Sequence, residues 1–328
     1  MNAKREKRPP EAEGPIPVIL VGQGEKTRII ARALLSHPEL QLVAAVSKSK
    51  TPIPEAPGVP VLARSAEAFP RAKGGVVVLE RGHRLDDVAR ELLAAIDAGL
   101  SVISTCEELI HASFVDPDFA DKVDEAAWRR GVSVLGVGLH AGFFFDRLVA
   151  TVAGVVGLPE RVEAERVVGV EGSPGLLQAA GVGLSEAEFD EGVDAERLGQ
   201  RGLSEACGLL AEGLGLELDE VEEAVDPILA EEAVEQGGVR VEKGRVLGLR
   251  QVARGFEEGK ELVRLAIEMR LGASPTARIR IEGQPSLAVE IPGGIPEDPA
   301  LGWAVANAIP RMRDAGPGLL SVLDLPSA

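Results

Sequence analysis

The sequence predicts an α/β protein in two parts: an N-terminal doubly wound parallel sheet, then a second α+β domain with a mostly antiparallel sheet. Three observations carry this expectation. From Ile16 to Gly138, short and nearly continuous apolar runs alternate with amphipathic stretches, as in a parallel sheet covered on both faces. The first run is closed by Gly22-Gln23-Gly24, a turn rich in glycine that leads into the first helix. After Gly142 the helices thin out, and strand candidates follow one another with apolar and charged residues alternating.

Taken in order, PIPVILV is a buried strand. Thr27 to His37 is helical, with Ile29, Ile30, Ala33 and Leu34 at helical spacing. Leu40 to Val46 is a second strand, VPVL a short third and Gly74 to Leu79 a fourth. Asp86 to Ala98 carries Val88, Leu92, Leu93 and Ile96 on one face and stops at Gly99. Ser101 to Thr105 is a fifth strand. Asp116-Pro117 suits a helix cap and first turn for the stretch to Arg130, and Val132 to Gly138 is a sixth strand. In the second domain a helix is expected over Phe143 to Val156, a strand over Arg161 to Val170 and a helix over Arg201 to Leu216. Strands VRVEKGRV, LRQVARGF, LVRLAIEMRL, ARIRIEG and SLAVEIP follow, then a helix from Pro299 to Arg313 and the closing segment PGLLSVLDLP.

Composition narrows the function. With 35 Lys and Arg against 52 Asp and Glu, the formal net charge is -17, which disfavours nucleic acid as a partner. No long uninterrupted apolar stretch predicts a membrane span. Two distant cysteines, Cys106 and Cys207, form no disulfide framework and suggest a cytoplasmic protein. No metal site is expected from the four histidines. Tyrosine is absent, which excludes the Tyr-Lys chemistry of short-chain dehydrogenases. Residues 1–14 are polar and expected to be a disordered tail.

The turn Gly22-Gln23-Gly24-Glu25-Lys26-Thr27 stands where a dinucleotide fold needs a tight bend and close backbone approach to a pyrophosphate. The third glycine of that pattern is replaced by Thr27. After the second strand the text is Ser47-Lys48-Ser49, without the acid that would hold the ribose hydroxyls of NAD. Hydroxyls and ammonium groups there suit a 2′-phosphate, so NADP is expected over NAD; a solvated polar loop is the other reading.

Thr105-Cys106-Glu107-Glu108 follows the fifth strand, at the carboxyl end where such sheets bind ligands. A half-desolvated carboxylate there could take a proton from an amine, or the acids could simply begin a turn. Gly138, His140, Phe143 and Phe144 follow the sixth strand at the same end. Gly138 would allow close approach of a ring, and His140 would either donate to a substrate carbonyl or pack in a hinge.

STCEEL (Ser104 to Leu109), GVGLHAGFFFD (Gly136 to Asp146), GLSEACGLLAEGLG (Gly202 to Gly215), VANAIPRM (Val305 to Met312) and PGLLSVLDLP (Pro317 to Pro326) resemble the 2,4-diaminopentanoate dehydrogenase and native amine dehydrogenase family, within the dihydrodipicolinate-reductase-like dehydrogenases. The resemblance runs from about Ile16 to the end. It implies a Rossmann domain at 15–141, a substrate and homodimerisation domain at 142–298, and a C-terminal segment at 299–328 that packs back on the Rossmann domain. It implies NAD(P)-dependent interconversion of an amine with a ketone or aldehyde plus ammonia, with Glu107 as the catalytic base. Glu108, His140, Phe143, Phe144 and Gln178 become candidates for the substrate pocket. Gly22, Gln23, Gly24, Glu25, Lys26, Thr27, Ser47, Lys48, Ser49, Thr105 and Gly138 become candidates for the cofactor.

Departures from the family pattern point to a particular substrate. His140-Ala141 replaces an Asn-Pro pair, Gln200 stands where a His is common, and Glu80-Arg81-Gly82-His83 replaces small hydroxyl residues after the fourth strand. The stretch from Ser173 to Gly183 has no Arg or Lys to receive a substrate carboxylate, so a small apolar carbonyl compound is expected rather than a diamino acid. An NADPH reductase of an imine or semialdehyde, and a non-catalytic dimeric descendant, remain the alternatives.

Overall fold

The computed structural model describes residues 14–326; the polar tail expected over residues 1–14 lies outside them except for Gly14. The chain divides into two compact units, residues 1–147 with 296–328, and residues 148–295. The division thus falls at Arg147/Leu148 and Ile295/Pro296, six and three residues from the expected borders.

In chain order the first unit begins with β1 (Ile16–Val21), α1 (Glu25–Ser36), β2 (Leu40–Val46), β3 (Val61–Leu62) and α2 (Ser65–Ala68). It continues with β4 (Val76–Leu79), α3 (Leu85–Asp97), β5 (Ser101–Ser104), α4 (Ala112–Val115), α5 (Pro117–Arg130) and β6 (Ser133–Gly136). Every residue of β4, β5 and β6 is buried, which is why these strands lack alternation: helices cover both faces. Helix α5 starts where the Asp-Pro pair predicts. The Asp116 carboxylate accepts the Phe119 N–H, and Gly131 closes the helix in the left-handed region at φ 65°.

The second unit carries α6 (Val149–Ala153), β7 (Gly157–Gly169), α7 (Pro174–Ala179), α8 (Glu186–Asp194) and α9 (Leu203–Leu214), then β8 (Glu220–Leu229), β9 (Val234–Gln236) and β10 (Val239–Val241). Strands β11 (Val246–Glu257), β12 (Lys260–Arg270), β13 (Thr276–Gln284) and β14 (Leu287–Pro292) complete it. Its main sheet has the order β14-β13-β7-β12-β11-β8. All pairings are antiparallel except β7 with β12, which run parallel. Alternation follows from one packed face: Val162, Ala164, Arg166 and Val168 of β7 point inward, as do Ala277, Ile279 and Ile281 of β13. Helix α9 packs on β8, β11 and β12.

Several expectations shift. The helix expected over Phe143 to Val156 is present and ends at Ala153: a wide helical stretch, His140–Leu148, broken at Ala141 and Gly142 before the expected start, runs on into α6. VRVEKGRV is not one strand: β10 ends at Val241, and a turn at Glu242–Arg245 precedes β11. Helices α7 and α8 and strand β8 were not expected.

The chain then returns to the first unit with α10 (Glu297–Ala315) and β15 (Gly318–Leu320). Helix α10 lies close against α1: a Cβ on Gly302 would stand 2.8 Å from the Ile29 carbonyl oxygen. Strand β15 adds to the sheet parallel to β6. The full order is β15-β6-β5-β4-β1-β2-β3, all parallel, and it reverses between β1 and β4, where such sheets open a crevice.

After β6 the backbone is pinned by the wholly buried Asp146, whose carboxylate accepts the N–H groups of Gly142 and Arg147, both at 2.5 Å. Burial pushes this acid up to about 6, against the pull of those donors. A folded-state value above the ordinary 3.8 favours the neutral acid, so stability is full below about pH 4 and is lost as pH rises through 6. Relative to Asp146→Asn, wild-type unfolding free energy should therefore fall by about 2–3 kcal/mol between pH 4 and 7. A pH-independent difference in denaturant titrations would contradict this.

Candidate active site

The crest of the first unit's sheet collects the residues that follow β1, β2 and β4. Gly22, Gln23, Ser47, Lys48, Glu80, Arg81 and Gly82 line a groove of about 360 Å³ there. Gly22 is obligatory: a Cβ would stand 2.6 Å from Thr27 Oγ1, 2.7 Å from Glu80 Oε2 and 2.8 Å from the Glu80 carbonyl oxygen. Gly24 takes φ 107° and faces open space, with no atom within 4 Å of where a Cβ would lie. It caps α1, and no side chain bonds the first N–H groups of that helix. A helix start with uncapped N–H groups, bare glycine beside it and a groove in front fits an anionic dinucleotide.

The cofactor candidates separate by position. Gly22, Gln23, Ser47 and Lys48 line the groove, and Gly24, Glu25 and Lys26 form the exposed start of α1. Ser47 is buried; its hydroxyl reaches Ser49 Oγ at 3.0 Å and Gln23 Oε1 at 3.4 Å, a polar chain along the end of β2. Thr27 is not a surface contact: it is 2% exposed, and its hydroxyl donates to Glu80 Oε2 at 2.5 Å. Thr105 and Gly138 lie after β5 and β6, outside the groove lining. Gly138 is required by its neighbour, since a Cβ would stand 2.5 Å from the Ala141 carbonyl oxygen. Arg28 binds Glu55 at 2.7 Å, while Arg81 lines the groove and pairs with Glu91 at 2.9 Å.

The loops after β4 and β5 interlock. Glu108 is structural: its Oε2 accepts the Leu85 N–H at 2.7 Å, holding the start of α3. The His83 carbonyl accepts the Glu108 N–H at 3.3 Å and the Cys106 thiol at 3.2 Å. Asp87 accepts the N–H groups of His83 and Arg84, which hold its carboxyl below the usual range. Burial pushes the Cys106 thiol up to about 12, so it stays protonated and is no nucleophile.

Glu107 opens a tight turn, Glu107–His111, directly after β5. It is 9% exposed, and its Oε2 lies 2.9 Å from His83 Nδ1. Burial raises Glu80, opposed by its Thr27 hydrogen bond and by Lys26, with Glu107 adding like charge. Two carboxyl groups thus share this end of the sheet, one against the glycine loop and one against an imidazole. Reading the sequence missed the roles of Glu80 and His83. The segment Glu80-Arg81-Gly82-His83 stood out there only as a departure, and its closeness to Glu107 spans 24 positions of chain.

The pocket candidates fare unequally. His140 is buried and its Nε2 lies 2.9 Å from Glu297 Oε2 at the start of α10, which makes it a brace. Phe144 has no exposed surface and meets Phe145 edge-on at 5.0 Å, so it belongs to the core and walls no pocket. Phe143 is half-buried, and Gln178 is exposed on α7 of the second unit. Among the described residues no cluster of three or more His, Cys, Asp or Glu could hold a metal ion, and no helix is long and apolar enough to cross a membrane.

Comparison with known proteins places this geometry. Residues 143–328 match the model of the 2,4-diaminopentanoate dehydrogenase C-terminal domain. The 2,4-diaminopentanoate dehydrogenase of Acetoanaerobium sticklandii is 25% identical over 338 aligned positions, covering 95% of this chain and 93% of that one. Among solved structures, an amine dehydrogenase from Mycobacterium smegmatis superposes with a TM-score of 0.79 at 24% identity, covering 96% of this chain and 97% of the other. GenD2 from gentamicin A biosynthesis, solved in complex with NAD, gives 0.52 at 16% identity over 88% of this chain and 75% of its own. The family model spans more than half of the chain, and the curated relative aligns over nearly all of it: the chain belongs to the 2,4-diaminopentanoate dehydrogenase family of amine-acting dehydrogenases.

Proposed function

We propose that this protein is an NAD(P)-dependent amine dehydrogenase that converts a small, neutral, apolar ketone or aldehyde and ammonia into an amine, and the reverse. The observation that carries the reading is the nearly buried Glu107 carboxylate, held at the carboxyl end of β5 on the crest that bears the glycine-loop groove. Family membership supports the reaction class.

The dinucleotide would lie with its pyrophosphate at Gly22, Gly24 and the first turn of α1, and its adenosine ribose toward Ser47, Lys48 and Ser49. When bound, it supplies the hydride for amination and takes it in deamination. Glu107 accepts a proton from ammonium, freeing the lone pair of ammonia to attack the carbonyl carbon. Glu107 then returns that proton to the carbinolamine hydroxyl, which leaves as water and gives the iminium ion. Neither neighbouring group competes for this work, since Glu108 is committed to Leu85 and the Cys106 thiol stays protonated.

Substrate and cofactor preferences rest on charge. Around α7, the stretch Ser173 to Gly183 offers no cation to a substrate carboxylate. An unpaired carboxylate would bind at a cost, so a neutral carbonyl compound is favoured over a diamino acid. Lys48 on the groove wall, with no acid at the end of β2, favours NADPH over NADH. The protein works as a homodimer in this reading, as the resemblance implies.

With NADPH, ammonium and butanone or pentanal, loss of the near-ultraviolet absorbance of the reduced nicotinamide should depend on ammonium. It should fall at least about 100-fold in Glu107→Gln. Ammonium-independent turnover would point to an imine or semialdehyde reductase, and unchanged turnover in the variant would remove Glu107 from the mechanism. Lys48→Asp should shift the NADPH to NADH ratio of kcat/KM toward NADH by about tenfold or more, about 1.4 kcal/mol; an unchanged ratio would mean that Lys48 does not meet the 2′-phosphate.

A further inference from the structure

The reaction proposed above, on which this inference rests, has a proton to import. Carbonyl compound, ammonium and reduced dinucleotide yield protonated amine, water and oxidised dinucleotide. Charge and atoms balance only if one further proton enters from solvent in each amination and leaves in each deamination. Glu107 handles these protons while 9% exposed, so it needs a partner in contact with water.

His83 is built as that partner. Its Nδ1 lies 2.9 Å from Glu107 Oε2, while 49% of its side chain is open to solvent against 12% for Glu107. Its backbone is held from both sides: its N–H donates to Asp87 Oδ2 at 3.1 Å, and its carbonyl accepts from Glu108 and Cys106. The main chain that carries the ring is thus fixed beside the carboxylate by the interlock of two loops. The other acids nearby are engaged elsewhere, Glu108 on Leu85 and Glu80 on Thr27. Imidazole can take a proton on one nitrogen while giving one from the other, which an amide or hydroxyl does not do at neutral pH.

We infer that His83 is the positioning and proton-relay residue of Glu107, carrying protons between the buried carboxylate and solvent. In amination, water protonates Nε2 and the Nδ1 proton passes to Glu107 Oε2. The neutral acid then protonates the amine nitrogen left after hydride transfer, and Glu107 returns to its ionised state. Deamination runs the same path outward.

The test uses the full-length protein with NADPH, ammonium and butanone or pentanal, and compares His83→Ala, His83→Asn and Glu107→Gln. Both His83 variants should lose about 10- to 100-fold in kcat, with KM for the carbonyl compound and the calorimetric Kd for NADPH within about twofold of wild type. Added imidazole should restore His83→Ala in a concentration-dependent way. His83→Asn separates relay from support, because its amide can still donate to Glu107 but cannot pass a proton on. Full activity of His83→Asn, or a His83→Ala protein that is fast or indifferent to imidazole, would overturn the relay while a dead Glu107→Gln keeps the parent reading. Absence of turnover in wild type, or turnover that survives Glu107→Gln, would overturn both.

Discussion

The candidate site depends on one interlock, the seating of the loop after β4 against the loop after β5. The His83 backbone sits at its centre. Its carbonyl receives the Glu108 N–H and the Cys106 thiol, and its N–H reaches Asp87 in the first turn of α3. Glu108 closes the arrangement by taking the first N–H of α3. Each bond is modest alone, about 1 kcal/mol net for a neutral pair and more where a carboxylate accepts. Together they fix two short strand extensions in one geometry, and the two side chains left facing each other are His83 and Glu107.

The same crest shows how two neighbouring acids take different partners. Glu107 and Glu108 are adjacent, yet the turn that begins at Glu107 sends one carboxylate to an imidazole and the other to a helix start. Sequence could name the pair and not apportion it. Glu80 adds a further acid beside the glycine loop, half-buried and bonded to Thr27. Thr27 in place of a third glycine is thereby explained: its hydroxyl donates to Glu80, and Gly22 leaves just enough room for both.

Much of the first unit was legible because its constraints are local. Strands buried on both faces must be apolar throughout, and the helices between them must be apolar on one side, so β1, β2, β4, β5 and β6 were visible as runs. The second unit was harder. Helix α7 buries none of its residues, and β8 has no fully buried position, so neither leaves a periodic signal. The candidate site was legible in its placement, since Gly22, Ser47 and Glu107 all lie at carboxyl ends of strands as their text implies. It was not legible where a side chain could face either solvent or core. Phe144 was a pocket candidate yet lies in the core, and of the two readings left open for His140 the packing one fits its reach across 157 positions to Glu297. His83 was overlooked for the converse reason, since only the fold brings it to a residue 24 positions away.

The chemistry turns on whether the buried carboxylate meets the reacting nitrogen. A crystal structure of the protein with NADP and a small amine such as 2-aminobutane measures this directly. If Glu107 is the proton acceptor, the amine nitrogen will lie about 2.6–3.2 Å from its carboxylate, with His83 still behind it. An amine bound with its nitrogen on another group, and Glu107 out of reach, would contradict the mechanism.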